Sequence, residues 1–270
     1  MIIIGERING MFLDVRKAVQ TQDKKIIQDL ALEQTKCGAN YLDVNVGPSS
    51  DDPKSAIVWM IEAIREVCDT PISVDVYTKF EIMEAGVKSC AKGKVLINST
   101  NANPVKMEKL FPLAAEWDAC IIGLTMDKRG VPADVDYRVE TAATVLATAM
   151  EYGISTDRIF IDPIINPVNA SQEQFLNVME ALDQFKLLAD PAPHYVVGLS
   201  NLSAGVTNRP LVNRTAITML MAHGLDAAII DPMDKEIMDA LITAEVLLNK
   251  TIFNNSYLEA YRKSLELRAK

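Results

Sequence analysis

Acidic and amide side chains recur in this chain at one kind of place, the polar end of a short apolar run. Glu6, Arg7 and Asn9 follow the run 1–4, Asp43 and Asn45 lie within 41–46, Asp75 near the end of 72–76, and Asn98 closes 94–98. Asp162 closes 158–162, Ser200 and Asn201 follow 195–199, and Asp231 follows 226–230. Asp and Asn dominate the set, and Lys, Cys and His are missing from it. Such a set is poorly equipped for nucleophilic or Schiff-base catalysis. It suits the recognition of a flat heterocycle: a carboxylate accepts two parallel N–H bonds from an aminopyrimidinone edge, and an amide offers a donor and an acceptor together. Guanine and pterin carry that edge. For any one of these residues a turn or helix-cap role is the competing reading, but it weakens when several runs end alike. Gly198-Leu199-Ser200 does not extend to a nucleophile elbow, because Leu202 stands where G-x-S-x-G needs its second glycine.

The runs that present these residues are β-branched or apolar, and with 119–125 they number eight. Between and after them lie longer stretches of helical period, such as Ile26, Ile27, Leu30, Ala31 and Cys37, or Ile237, Met238, Leu241, Ala244 and Leu248. Asp52-Pro53 and Asn103-Pro104 place a capping side chain before a proline at the first helical position, while Thr78 with Glu81 and Ser171 with Gln174 have capping-box spacing. Eight helices are expected to follow eight strands. Strict alternation implies a parallel sheet, and eight units in this length predict a single (β/α)8 TIM barrel, an α/β fold, over 1–270 with 251–270 as a helical C-terminal extension. A doubly wound open sheet is disfavoured, since no G-x-G-x-x-G follows the first run and the polar residues do not gather at one switch point. In a barrel, the ends of the strands build the site.

Bulk properties exclude several function classes. The chain has 270 residues, 49% of them hydrophobic and 23% charged, and a formal net charge of -9. That charge repels a phosphate backbone, and no Lys/Arg run with interleaved aromatics overrides it, so no nucleic-acid partner is expected. No apolar stretch approaches the ~20 residues of a membrane span and the start is charged too soon for a signal peptide, so the expectation is no membrane and a cytoplasmic location. Cys37, Cys68, Cys90 and Cys120 form no C-x-x-C pair, and His194 and His223 are too few for a His/Cys cluster. No protein-bound metal is expected; the thiols read as buried or half-buried, and the two histidines as strand-entry and helix-end residues.

The motifs Gly5-Glu6-Arg7-Ile8-Asn9-Gly10, Leu42-Asp43-Val44-Asn45-Val46-Gly47, Ile97-Asn98-Ser99-Thr100, Ile161-Asp162-Pro163 and Gly198-Leu199-Ser200-Asn201-Leu202-Ser203 resemble the pterin-binding methyltransferases. The likeness is greatest to the methyltetrahydrofolate:corrinoid/iron-sulfur protein methyltransferase family, and it covers essentially the whole chain. The resemblance implies methyl transfer, in either direction, between N5 of tetrahydrofolate and the cobalt of a corrinoid protein, in acetogenic one-carbon metabolism or in O- or N-demethylation. It implies that Asp75, Asn98 and Asp162 hold the pyrimidine side of the pterin and that Asn201 lies near N5. It further implies Asp43 and Asn45 as supporting groups, Gly198 and Ser200 at the rim, and Arg209 near the pterin. Asn201 is then the expected catalytic group, with Asp162 a remoter contributor, the substrate being tetrahydrofolate or 5-methyltetrahydrofolate. A D-x-H-x-x-G cobalamin signature is absent, so the corrinoid is expected on a transiently bound partner; a homodimer is the expected assembly. Val76-Tyr77 after Asp75 departs from the family's small hydroxyl residue there. A dihydropteroate-synthase-like condensing enzyme and a non-catalytic folate-binding subunit of a corrinoid complex are the alternatives.

Overall fold

The computed structural model describes residues 1–77 and 79–268. Eight parallel strands close in sequence order into a barrel: β1 (Ile2–Asn9), β2 (Tyr41–Asn45), β3 (Ile72–Asp75), β4 (Val95–Asn101), β5 (Cys120–Leu124), β6 (Ile159–Asp162), β7 (His194–Gly198) and β8 (Ala227–Ile230). Closure is made by β8 pairing with β1, which leaves no free sheet edge. The helices are α1 (Leu13–Thr21), α2 (Lys24–Lys36), α3 (Pro53–Arg65), α4 (Phe80–Ser89), α5 (Pro104–Trp117), α6 (Val135–Glu151), α7 (Gln174–Phe185), α8 (Arg209–Ala222), α9 (Lys235–Leu247) and α10 (Tyr257–Arg268). The helical extension is α10, which begins at Tyr257 rather than at 251 and leaves the last two residues outside the description.

The sequence expectations hold in outline and fail at particular ends. Asp52 and Asn103 cap α3 and α5, accepting from Ser55 N and Val105 N, with the prolines where expected. Thr78 lies outside the described residues; α4 has Lys79 at its N-cap, without a side-chain hydrogen bond. Ser171 does not cap α7, whose N-cap is Glu173. Gln174 cannot complete a box because its side chain is spent elsewhere: Oε1 accepts from Arg138 at 3.0 Å and Nε2 donates to the Ala133 carbonyl at 2.8 Å. One helix per strand is also a simplification, since β1 is followed by two, α1 and α2.

Strand β1 runs five residues beyond the apolar run that announced it. The reason is a bulge: Gly5 pairs with Leu42 but Ile8 with Val44, so three steps on β1 match two on β2. Glu6 and Arg7 are therefore in the strand, re-aimed by the bulge. A second bulge lies between Asn98 and Thr100 on β4. Gly10 permits the loop after β1 to cross the loop after β2; a Cβ there would lie 1.9 Å from the Val46 carbonyl oxygen and 2.1 Å from Ser49 Oγ.

Alternation along each strand sorts the side chains into two cores. Residues facing outward, such as Leu42, Val44, Ile97, Ile121, Ile161 and Val197, join the large cluster under the helices. Those facing inward form a separate plug of Ile4, Leu96, Ile122, Phe160, Val196 and Ala227, with Tyr41, Cys120 and Ile229 packed against it. Phe160 is its largest member, meeting Tyr41 edge-on at 6.4 Å and the His194 ring at 4.7 Å.

Candidate functional site

Two residues further along the inward faces, the plug ends and a cavity of about 680 Å3 opens at the C-terminal mouth. Every strand contributes at least one residue to its wall, among them Glu6, Asp43, Asp75, Asn98, Leu124, Asp162, Gly198 and Ile229. The size falls within the range of small-molecule sites.

One side of the floor is a set of half-satisfied acceptors. Asp43, buried at 3% exposure, accepts at Oδ1 from Ser73 Oγ (2.6 Å) and from Asn98 Nδ2 (3.1 Å). Orienting Asn98 in this way leaves its Oδ1 free to accept. Asp75 accepts at Oδ2 from Asn45 Nδ2 at 2.6 Å, and Asn45 in turn accepts from Gly47 N. Asn45 does not itself line the cavity; it fixes Asp75 from behind. Asp162 accepts at Oδ1 from Ile164 N at 2.7 Å. Asp75 Oδ1 and Asp162 Oδ2 have no partner among the described residues. Burial pushes all three carboxyls upward: Asp43 well above the usual range, with the nearby Asp75 carboxylate adding to it, Asp75 less so, and Asp162 to about 7. Carboxylates held this way lack hydrogen-bond donors, and a ligand edge bearing N–H groups would supply them.

Asp162 is braced by a buried arginine. Arg138 on α6 donates from Nε to the Pro163 carbonyl at 2.8 Å and from Nη1 to the Asp134 carbonyl at 3.0 Å. Ile164, whose N–H reaches Asp162, has φ 61°, an unfavourable conformation for a β-branched residue and one that concentrates at functional sites. Arg138 is not among the residues the sequence singles out; its only signal is an arginine on a largely apolar helical face.

The other side of the mouth is built by the turn after β7. Asn201 stands exposed there, its side-chain amide without a hydrogen bond among the described residues, and Gly198 makes room for it, since a Cβ would lie 3.0 Å from Asn201 Nδ2. Ser200 donates from Oγ to Glu6 Oε1 at 2.7 Å. Arg209, the first residue of α8, donates from Nη2 to the Ser200 carbonyl at 3.1 Å and from Nε to Ser203 Oγ at 3.1 Å, and has no carboxylate partner among the described residues. Burial raises the Glu6 carboxyl, as it does Asp231 beside it; the Ser200 hydroxyl opposes the rise in Glu6. Glu6 and Asp231 stood among the strand-end residues, but nothing in their spacing assigned either a part in the site. The rim carries exposed apolar side chains, with Met11 at 66% and Tyr77 at 60% exposure. All the site residues expected from the sequence thus lie at one end of the barrel, with Asn45 one layer behind.

No group of His, Cys, Asp and Glu suited to a metal ion occurs among the described residues, and none of the described helices is long and apolar enough to cross a membrane. His194 donates or accepts at Nδ1 with Asp226 and His223 with Asp183, both away from the mouth.

Comparison with known proteins places this geometry in context. The family described as pterin binding enzyme matches residues 11–231. The chain is 31% identical to methylcorrinoid:tetrahydrofolate methyltransferase of Eubacterium limosum over 97% of both chains. It is 28% identical to methionine synthase of Mycobacterium leprae over 85% of this chain and 20% of that protein. Among solved structures, dihydropteroate synthase from Thermus thermophilus superposes with a TM-score of 0.67 at 19% identity, covering 91% of this chain and 94% of that one. That last likeness concerns the fold alone.

Proposed function

The chain belongs to the pterin-binding enzyme family, and on that premise we propose that it transfers a methyl group between N5 of tetrahydrofolate and a corrinoid carried by a partner protein. The observation that carries this reading is the meeting of two kinds of group in one cavity: a wall of free acceptors on Asp75, Asn98 and Asp162 shares the mouth with an unengaged Asn201 amide after β7. That wall takes the N–H donors of the aminopyrimidinone edge. That choice of edge sets N5 on the side of Asn201, Ser200 and Gly198, with Arg209 beside the pterin.

Cleaving the N5–methyl bond leaves an electron pair on nitrogen. A tertiary amine departs only as positive charge develops there, so a group that hydrogen-bonds N5 more strongly in the transition state than in the ground state lowers the barrier. Asn201 is that group, its freedom from protein partners leaving it available to N5. Asp162 acts more remotely, through the pterin ring it binds. In the reverse direction N5 attacks the methyl carbon, and the same residues serve by microscopic reversibility.

The corrinoid comes to the site on its partner as a second substrate. A planar ring system presented above the pterin fits a mouth that is open and rimmed by exposed Met11, Phe12 and Tyr77. Docking on so small an apolar rim is transient. A homodimer in the cytoplasm completes the reading; the apolar groove between α7 and α8, with Leu176, Leu211 and Met219 exposed, is the surface a second copy would cover. The condensing-enzyme alternative receives no support at the mouth, where β7 and β8 end in Gly198-Leu199-Ser200-Asn201 and Ile230-Asp231-Pro232 without a cation.

The test is direct. Purified protein mixed with 5-methyltetrahydrofolate and reduced free cobalamin is expected to yield methylcobalamin, followed by its visible spectrum. Binding of the folate without any transfer, to free cobalamin or to a corrinoid protein, would leave only the folate-binding subunit.

A further inference from the structure

Resting on the methyl-transfer reading, we propose that Glu6 is the acid that delivers a proton to N5 as the methyl group leaves, and that a small cavity behind it is the water route that restores that proton.

The need for such a group follows from the chemistry. The N5–methyl electron pair stays on nitrogen, the methyl carbon bonds to the reduced corrinoid nucleophile through the nucleophile's own pair, and N5 must end with a hydrogen. The Asn201 amide can steady charge on N5 but has no proton to give away and recover at neutral pH. A carboxyl can. The mouth holds five: Asp75 and Asp162 belong to the pyrimidine wall, Asp43 lies below it under Ser73 and Asn98, and Asp231 and Glu6 stand on the N5 side. Of these two, Glu6 is tied to the residue that precedes Asn201, through Ser200 Oγ at 2.7 Å on Oε1. Its Oε2 has no partner among the described residues, so the protonated acid has a free O–H for the ligand. The β1 bulge puts it there.

Its surroundings favour a retained proton. Burial raises Glu6, and the neighbouring Asp231 raises it further, while Ser200, Arg209 and Arg7 pull it down. Asp43 is the remaining carboxyl that feels its charge.

The route lies behind. A second cavity of about 180 Å3 shares Glu6, Ser200, Arg209 and Asp231 with the mouth, so these four form the partition between the two. Asp234 and Asn213 line its far side. Asn213 is only 7% exposed and its Oδ1 has no partner among the described residues. A buried acceptor without a protein partner, in a cavity of this size that also holds Glu6, Asp231 and Asp234, is the ordinary sign of ordered water, which needs about 30 Å3 per molecule. With folate and the corrinoid partner closing the mouth, this side remains open to Glu6. The Glu6 O–H breaks, N5–H forms, and the carboxylate takes its next proton from bulk solvent, relayed through water in the rear cavity.

Glu6→Gln keeps the side chain's size and its acceptor for Ser200 while removing the proton. Single-turnover transfer from 5-methyltetrahydrofolate to reduced cobalamin is expected to fall about 100-fold or more at neutral pH, with folate affinity changed less than about twofold. Wild type is expected to slow as pH rises through the raised Glu6 range, and E6Q to lose that dependence. Ser200→Ala, which removes the bond that steadies the carboxylate, is expected to move the same limb to higher pH, and it decides the matter if E6Q does not fold. An E6Q rate and pH profile like wild type overturns the proposal while leaving the transferase reading intact, as does an affinity loss that matches the rate loss or an unmoved limb in S200A. A wild-type protein that transfers no methyl group overturns both.

Discussion

The inner wall of this barrel carries two layers, made by the same strands two residues apart, with opposite chemistry. Ile4, Leu96, Phe160 and Val196 belong to the plug; Glu6, Asn98, Asp162 and Gly198, two positions later on the same strands, belong to the mouth. The plug is dry and close-packed, with Phe160 wedged between Tyr41 and His194. The mouth is lined by carboxyls whose proton affinities are raised by burial and whose acceptors are only partly used. One layer lowers the free energy of the fold, and the other holds polar groups at a cost that a ligand relieves. Function here occupies the layer that stability would not have chosen.

The sharpest way to break this division is to cut the plug. Phe160→Ala is expected to cost about 3–5 kcal/mol of stability, by lost burial and a cavity that the rigid barrel cannot close. Urea unfolding measures it, and folate affinity of the remaining folded protein should be unchanged. Affinity falling in proportion would show that the layers act as one.

Asn201→Ala tests the opposite pole. Single-turnover methyl transfer is expected to drop about 100-fold, with a much smaller change in folate affinity and none in thermal midpoint, because the side-chain amide is exposed and has no hydrogen-bond partner among the described residues. A wild-type rate would remove Asn201 from the mechanism.

Asp75→Ala and Asp162→Ala are each expected to weaken folate binding by about 1–3 kcal/mol, read by calorimetric titration, since each leaves pterin N–H groups unpaired in a partly desolvated site. The thermal midpoint should not fall with the affinity. Undiminished affinity in both variants would remove the pyrimidine wall from the site.

The smallest effect is on pH dependence. Burial pushes the Asp162 carboxyl up to about 7 in the fold, against 3.8 ordinarily. A carboxyl raised on folding favours the native state while protonated, so its contribution is complete below its ordinary pKa and is lost as pH climbs towards 7. Asp162→Asn should therefore gain thermal stability relative to wild type across that window. Folate affinity of the wild type should rise through the same range, because the carboxylate is the form that accepts the pterin's N–H bonds. A constant difference between D162N and wild type would place the Asp162 titration elsewhere.

Much of this arrangement was legible in the residues. Asp43, Asp75, Asn98 and Asp162 each stand at the polar end of an apolar run, and period-two alternation puts them on one face whatever the details of packing. The ends were less legible. The run 1–4 gave no hint that β1 continues to Asn9, because a bulge is an agreement between two strands. Ser171 and Gln174 have capping-box spacing, yet Gln174 turns to Arg138, thirty-six positions earlier, which no local pattern records. Glu6 was visible as a strand-end acid, but its link to Ser200 spans 194 positions.

The sequence by itself determined the alternation, the eight-fold count and the acid and amide character of the strand ends, because backbone geometry projects side chains with a period that any local window reveals. Only the tertiary structure decided which of those ends converge, and how far each proton affinity moves. Closure of β8 onto β1 brings Glu6 to Ser200 and Asp231, and burial, a property of the whole barrel, raises the carboxyls it surrounds. Convergence and desolvation are collective quantities, so no single segment of the chain contains them.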